Sequence, residues 1–193
     1  MTEYVVLRDL GRPTTHEPFD APSPEAGPSA VEAPSEPRIE AEALTKDEVR
    51  SLSRDPEVRA IARGMPTTLV YPFDVADAEA ATTAWGITAV GADVSARTGA
   101  GITVAVLDTG IDSTHPAFTG VTLVEEDFSG SGNGDVQGHG SHCAGTIFGR
   151  DVDGTRIGVA PGVDRALIGK VLGDDGSGDS IGLFRGIQFA TDQ

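Results

Sequence analysis

Two short segments near the start of the chain, residues 3–9 and 39–44, carry the apolar residues expected of strands. In the second, apolar and polar residues alternate with a period of two, which is typical of an edge strand. Between them, residues 12–37 are rich in proline, serine, glutamate and alanine, with almost no large apolar side chains. This composition buries too little surface to order itself, so the stretch is predicted to be a linker.

A helix and two extended segments are predicted in residues 45–70. Thr45 is a good N-cap, and Glu48 completes a capping box three residues later, followed by apolar residues at helical spacing. An Asp-Pro pair then ends the helix. Residues 58–62 predict a strand, and residues 65–70 an extended continuation. So small a unit has little stability alone, and we expect it to pack against a partner surface.

Strands and helices alternate in the second half of the chain, after a polar, alanine-rich connector at 74–84. The run 102–107 is almost entirely apolar and β-branched, which is typical of a strand buried on both faces of a parallel sheet. The alternation predicts an α/β fold with a mostly parallel sheet and helices on both faces. The predicted elements are a helix over 85–96 ended by Gly99, strands over 102–107, 121–124 and 166–172, and a helix capped by Ser180.

Charge narrows the range of partners. The 193 residues carry 30 acidic and 14 basic side chains, a formal net charge of −16. This excess repels nucleic acid and anionic membranes, so neither is expected as a partner. The single cysteine excludes an internal disulfide, and no apolar run reaches membrane-spanning length. Because the first residues lack the pattern of a signal peptide, the default expectation for localisation is the cytoplasm.

An aspartate and a histidine stand out as candidates for chemistry. Asp108 directly follows the apolar strand, at the sheet edge where α/β sites form. His139 lies between two glycines at the start of a helix of small residues. Taken alone, the aspartate fits a turn cap and the histidine a satisfied polar residue. Taken together, they favour an imidazole that a carboxylate holds as a general base.

The residues around this pair resemble the signatures of the subtilisin-like serine proteases, peptidase family S8. The similar segments are 107–112 and 139–145, with 158–161, 170–172, 176–178 and 186–187 following in the expected order. Residues 38–73 resemble the last part of the family's inhibitory propeptide. The resemblance therefore implies a propeptide-like region over 1–75 and the N-terminal part of a subtilisin-like catalytic domain over 80–193.

The resemblance also implies roles for individual residues in a serine endopeptidase. Asp108 orients and stabilises the imidazole, and His139 takes the proton of the nucleophilic serine and returns it to the leaving amine. The substrate is a polypeptide, and the propeptide-like segment docks on the catalytic domain. Substrate backbone pairs with the glycine-rich segment and a nearby pocket holds one of its side chains, so the predicted substrate-binding residues are Gly176, Ser177, Gly178, Ser180 and Leu183.

The sequence departs from the family in lacking its nucleophile. No Gly-Thr-Ser-Met-Ala motif occurs, and the oxyanion-hole asparagine expected downstream is also missing. We therefore expect a chain cut before the nucleophile and inactive alone; the alternative is a non-catalytic binding or chaperone-like module with a relic Asp/His pair. Residues 178–182 fit the Gly-x-Ser-x-Gly elbow of α/β-hydrolases, but Ser180 lies too far from strand 166–172 and is predicted to be a helix cap.

No metal site is predicted. His139 and His142 share a helix face, but no further histidine or cysteine pair completes a zinc site, and Cys143 is interpreted as a small packed residue. Calcium is a candidate cofactor, although Ala117 stands where the family often supplies a calcium-binding aspartate. The oxygen donors in glycine-rich loops are Asp127, Asp135, Asp151, Asp153, Asp174 and Asp175.

Overall fold

The computed structural model describes residues 1–8, 38–71 and 82–193. They form two compact units, residues 1–64 and 65–193. The predicted linker and nearly all of the predicted connector lie outside the described residues. Residues 65–71, which the sequence associates with the propeptide-like region, belong to the second unit; the domain boundary drawn from the sequence stays a prediction.

The first unit is a three-stranded antiparallel sheet with one helix. Its elements are β1 (Thr2–Arg8), β2 (Arg38–Leu44), α1 (Lys46–Leu52) and β3 (Val58–Arg63), with strand order β2-β1-β3. The predicted capping box is confirmed, since Thr45 Oγ1 accepts from the Glu48 amide and the Glu48 carboxylate accepts from the Thr45 amide. Tyr4, Val6 and Leu44 form its buried core.

The second unit contains a parallel sheet of three strands in the order β5-β7-β6, which confirms the predicted α/β class. A separate antiparallel pair joins β4 to β8. The elements are β4 (Pro66–Thr68), α2 (Trp85–Ala89), β5 (Thr103–Asp108), β6 (Thr122–Asp127), α3 (His139–Phe148), β7 (Arg165–Lys170), β8 (Ser177–Asp179) and α4 (Ser180–Thr191). None of the described helices is long and apolar enough to cross a membrane.

One helix packs on each face of the parallel sheet. Successive strand side chains point to opposite faces, so Val106 and Leu107 of β5 face different helices. Val106 and Ile168 share a buried cluster with Phe148 of α3. On the other face, Leu107 lies against Gly186 of α4. The carboxyl ends of the strands and the start of α3 are thereby held at one edge of the sheet.

Two predicted elements differ from the structure. The helix that begins at Trp85 ends at Ala89 rather than near residue 96, because Gly91 adopts a φ of 70° that no helix continues. The strand β5 is not buried on both faces: it lies at the edge of the described sheet, and Val106 is its only buried residue. The central position belongs to β7, where five of six residues are buried.

Candidate active site

The site lies where the end of β5 meets the start of α3. Gly110 turns the chain sharply after the strand, with a φ of 102°, and Gly138 does the same before the helix, with a φ of 87°. Gly140 packs so closely on this turn that a Cβ there would overlap the carbonyl oxygen of Gly110. Small residues on both sides thus bring Asp108, at the strand end, next to His139, at the helix start.

Asp108 and His139 form a hydrogen-bonded pair. The imidazole Nδ1 lies 2.8 Å from one carboxylate oxygen of Asp108 and 2.9 Å from the other. The side chains are 14% and 25% exposed, so the pair is shielded but reachable. The Thr109 amide also donates to Asp108 at 2.8 Å. A carboxylate at Nδ1 selects the tautomer protonated there, which leaves Nε2 with a lone pair that can accept a proton.

Asp135 connects the two elements that carry the pair. One of its carboxylate oxygens accepts from the Thr109 hydroxyl and the Gly138 amide, and the other from the amide and hydroxyl of Ser141, all within 2.9 Å. The Thr109 hydroxyl accepts in turn from the Gly140 amide. Burial opposes ionisation, but these donors outweigh it and hold the pKa of Asp135 below its ordinary value. An ionised Asp135 therefore fixes the strand-end turn against the helix start.

A buried lysine supports the same loop from below. Lys170 ends β7, with Asp108 of β5 and Asp127 of β6 in register on either side, and it is 2% exposed. Its ammonium group donates to the carbonyl of Gly134 at 2.9 Å and pairs with Asp174 at 2.5 Å. A buried charge persists only where such partners compensate for lost water, so Lys170 is held in place and holds the residue before Asp135.

Cys143 faces the imidazole from one turn along α3. Its Sγ lies 3.6 Å from Nδ1 and 4.0 Å from Nε2 of His139. Burial, followed by the charge and hydrogen bonding of Asp108 and the charge of Asp135, raises the pKa of the thiol to about 11. The group is therefore a neutral thiol at neutral pH.

The glycine-rich segment pairs with another part of the chain. In the β4–β8 ladder Thr67 lies opposite Gly178 and Thr68 opposite Ser177. The Leu69 amide extends the ladder by donating to the Gly176 carbonyl at 2.8 Å. The edge formed by residues 176–178 thus accepts an extended backbone, here from residues 66–69.

Ser180 closes the other end of this ladder. Its hydroxyl accepts from the Met65 amide at 2.9 Å, and its own amide donates to the Met65 carbonyl at 2.8 Å. The helix cap predicted at Ser180 is wrong by one residue: Asp179 is the N-cap, and its carboxylate accepts from the Gly182 amide. Since Ser180 is 7% exposed and engaged with backbone, it does not present the exposed hydroxyl of a hydrolase elbow.

Comparison with known proteins identifies the part of the chain that holds the pair. The sequence model of the subtilase family matches residues 99–193. Residues 99–193 are a subtilase-family segment. The alkaline serine protease ver112 of Corniculantispora psalliotae is 32% identical over 112 residues, 54% of this chain and 28% of that protein. The thermostable alkaline protease of Halalkalibacterium halodurans is 37% identical over 117 residues, 58% of this chain and 28% of that protein.

One solved structure, a cold adapted subtilisin-like serine proteinase, is 33% identical with a TM-score of 0.44, and covers 51% of this chain and 35% of its own. The chain thus spans little more than a quarter of the length of the two curated relatives.

Within the subtilase segment, the predicted residues fall into two groups. Asp108 meets His139, whereas the predicted substrate-binding residues surround the β4–β8 pair. Of these, Ser177 and Gly178 lie in β8, Gly176 directly precedes it, and Ser180 begins α4, with Leu183 half-buried one turn further along.

The sequence reasoning missed Asp135, Thr109 and Cys143 as parts of the site. The one available signal was the spacing of four between His139 and Cys143, which places both on one helix face. The candidate calcium donors do not converge: among the described residues, only Asp108, His139 and Cys143 bring three such ligand atoms within 4.8 Å of one another. Calcium binding stays a prediction.

Proposed function

We propose that the subtilase segment supplies the aspartate and the histidine of a serine endopeptidase active site. The observation that carries this proposal is the Asp108–His139 pair, with Nδ1 held at 2.8 and 2.9 Å by the carboxylate. The subtilase match and the relatives named as serine proteases support it. The nucleophilic serine comes from outside these 193 residues.

In the proposed mechanism His139 is the general base. Its Nε2 takes the hydroxyl proton as the serine oxygen attacks the scissile carbonyl carbon, and later delivers that proton to the leaving amine. Asp108 keeps the ring in the required tautomer and stabilises the imidazolium that forms. Thr109 and Asp135 position the pair without touching the reacting atoms.

We further propose that residues 176–178 bind the substrate as an added strand. Support comes from the antiparallel pairing of this edge with residues 66–68, which is the arrangement expected of an extended peptide. A Cβ at Gly178 would overlap the Val171 carbonyl oxygen, so this edge requires glycine there. Ser180 and Leu183 are proposed to line a pocket for a substrate side chain.

The same pairing supports an inhibitory role for the N-terminal region. Residues 65–69 occupy the edge that the substrate is proposed to use, through the β4 ladder and the Met65–Ser180 contacts. We propose that residues 1–75 act as a propeptide-like inhibitor whose last strand competes with substrate. A separately made peptide of residues 1–75 should inhibit the active protease competitively; absence of inhibition would reject this role.

The test of the catalytic proposal uses the protein expressed from the complete gene. Peptidase activity should be removed by a serine-directed inhibitor and abolished in His139→Ala. The matched control is His142→Ala, one turn along the same helix and exposed, which should retain activity. Full activity after His139→Ala, or none in the parent protein, contradicts the proposal; the second result favours a non-catalytic module.

A further inference from the structure

Three different metal-binding side chains meet at the start of α3. Asp108, His139 and Cys143 each offer one ligand atom, and these atoms all lie within 4.8 Å of one another. None of the three residues is fully buried, so an ion can reach them from solvent. The set combines a carboxylate oxygen, an imidazole nitrogen and a thiol sulfur, which together suit zinc better than calcium or magnesium.

The spacing of sulfur and nitrogen fits a shared tetrahedral ion. Zinc bonds to sulfur and nitrogen at the usual lengths place these two ligand atoms about 3.6 Å apart. The observed separation between Cys143 Sγ and His139 Nδ1 is 3.6 Å. The Asp108–His139 pair, now hydrogen-bonded at 2.8 Å, has to open by about half an ångström to share the same ion.

We propose that Asp108, His139 and Cys143 form a Zn²⁺-binding site, with solvent as the fourth ligand. The ion replaces the hydrogen bond between carboxylate and imidazole. The thiol proton leaves to solvent, and the imidazole proton moves from Nδ1 to Nε2, so one proton is released for each ion bound. This is a site that neither the conserved-family match nor the sequence pattern of histidines predicts.

The consequence for activity rests on the proposed function. An imidazole that is metallated at Nδ1 carries its proton on Nε2, the atom that a general base must keep free. It also loses the carboxylate that stabilises the imidazolium. Zinc bound here therefore switches off the Asp–His pair, and Cys143 is the residue that makes this pair sensitive to zinc.

Binding is tested on the untagged 193-residue chain, by calorimetry with Zn²⁺ and absorption spectroscopy with Co²⁺. The parent should bind one ion and show a sulfur-to-cobalt charge-transfer band in the near ultraviolet. Cys143→Val should lose the band and bind Zn²⁺ at least about tenfold more weakly. Asp108→Asn should also weaken binding, and the matched control His142→Ala should retain both signals.

Unchanged affinity in Cys143→Val, no cobalt band in the parent, or loss of binding in His142→Ala overturns the site. Circular dichroism of each variant reports whether it folds, and Asp108→Asn provides the answer if Cys143→Val does not. Because these measurements need no peptidase activity, they separate the two proposals. An inactive complete protein that still binds zinc refutes the catalytic role alone.

Discussion

Replacing Asp135 by asparagine tests whether one carboxylate holds the site together. The carboxylate accepts four hydrogen bonds, two on each oxygen. Asparagine keeps one acceptor oxygen, so two of the four donors lose their partner and face an NH₂ group instead. At about 1.5 kcal/mol for each charge-assisted bond, Asp135→Asn should cost about 3 kcal/mol.

Native-state hydrogen exchange measures this cost where it is expected. The opening free energies of amides in α3 and β7 should fall by this amount, whereas β1 amides in the first unit should not change. The matched control is Asp175→Asn, whose exposed carboxylate accepts only from the amide and hydroxyl of Ser177. The reasoning is refuted if Asp135→Asn lowers these free energies no more than Asp175→Asn does.

The effect of pH on this difference has a definite sign. The folded pKa of Asp135 is lowered, so its contribution is fully present above the ordinary unfolded value near about 3.9. It is lost as the pH falls through the lower, folded value. The gap between parent and Asp135→Asn should therefore stay constant at neutral pH and narrow only in acid; a gap that widens on acidification contradicts the assignment.

Three further predictions concern local structure. Gly140→Ala should destabilise the second unit, because its Cβ overlaps the carbonyl oxygen of Gly110, whereas Gly86→Ala, with open space around it, should not; chemical denaturation distinguishes the two. Cys143, with its pKa raised to about 11, should react with iodoacetamide roughly a hundredfold more slowly at pH 8 than in the unfolded chain, and equal rates would contradict this. Thr45→Ala should cost about 1 kcal/mol in thermal unfolding of the first unit, through loss of the N-cap, and no change would exclude that contribution.

Local patterns predict much of the fold. The capping box at Thr45, the parallel strands and the start of α3 follow from residue types within a few positions of each other. The meeting of Asp108 with His139 was also predictable, since a strand end and a helix start share the same edge of an α/β sheet. The two residues lie 31 positions apart in sequence and are joined at 2.8 Å.

The remaining features depend on contacts that no local pattern encodes. Asp179 and Ser180 are both good N-caps, and Ser180 is excluded because its hydroxyl is bound to Met65, 115 residues away in sequence. Asp135 has the same residue type and setting as other aspartates in glycine-rich loops, and only its partners distinguish it. The helix at Trp85 was predicted too long because apolar spacing continues past Gly91, whose positive φ ends it.

The most direct test of the Asp108–His139 pair is the tautomer of His139. Nitrogen-15 NMR of the 193-residue chain, labelled at histidine and recorded above the ordinary imidazole titration range, reports which ring nitrogen carries the proton. A resonance assigned by comparison with His139→Ala should show a protonated Nδ1 and an unprotonated Nε2. A proton on Nε2 in the metal-free chain would contradict the account, because that nitrogen would have no lone pair for a serine proton.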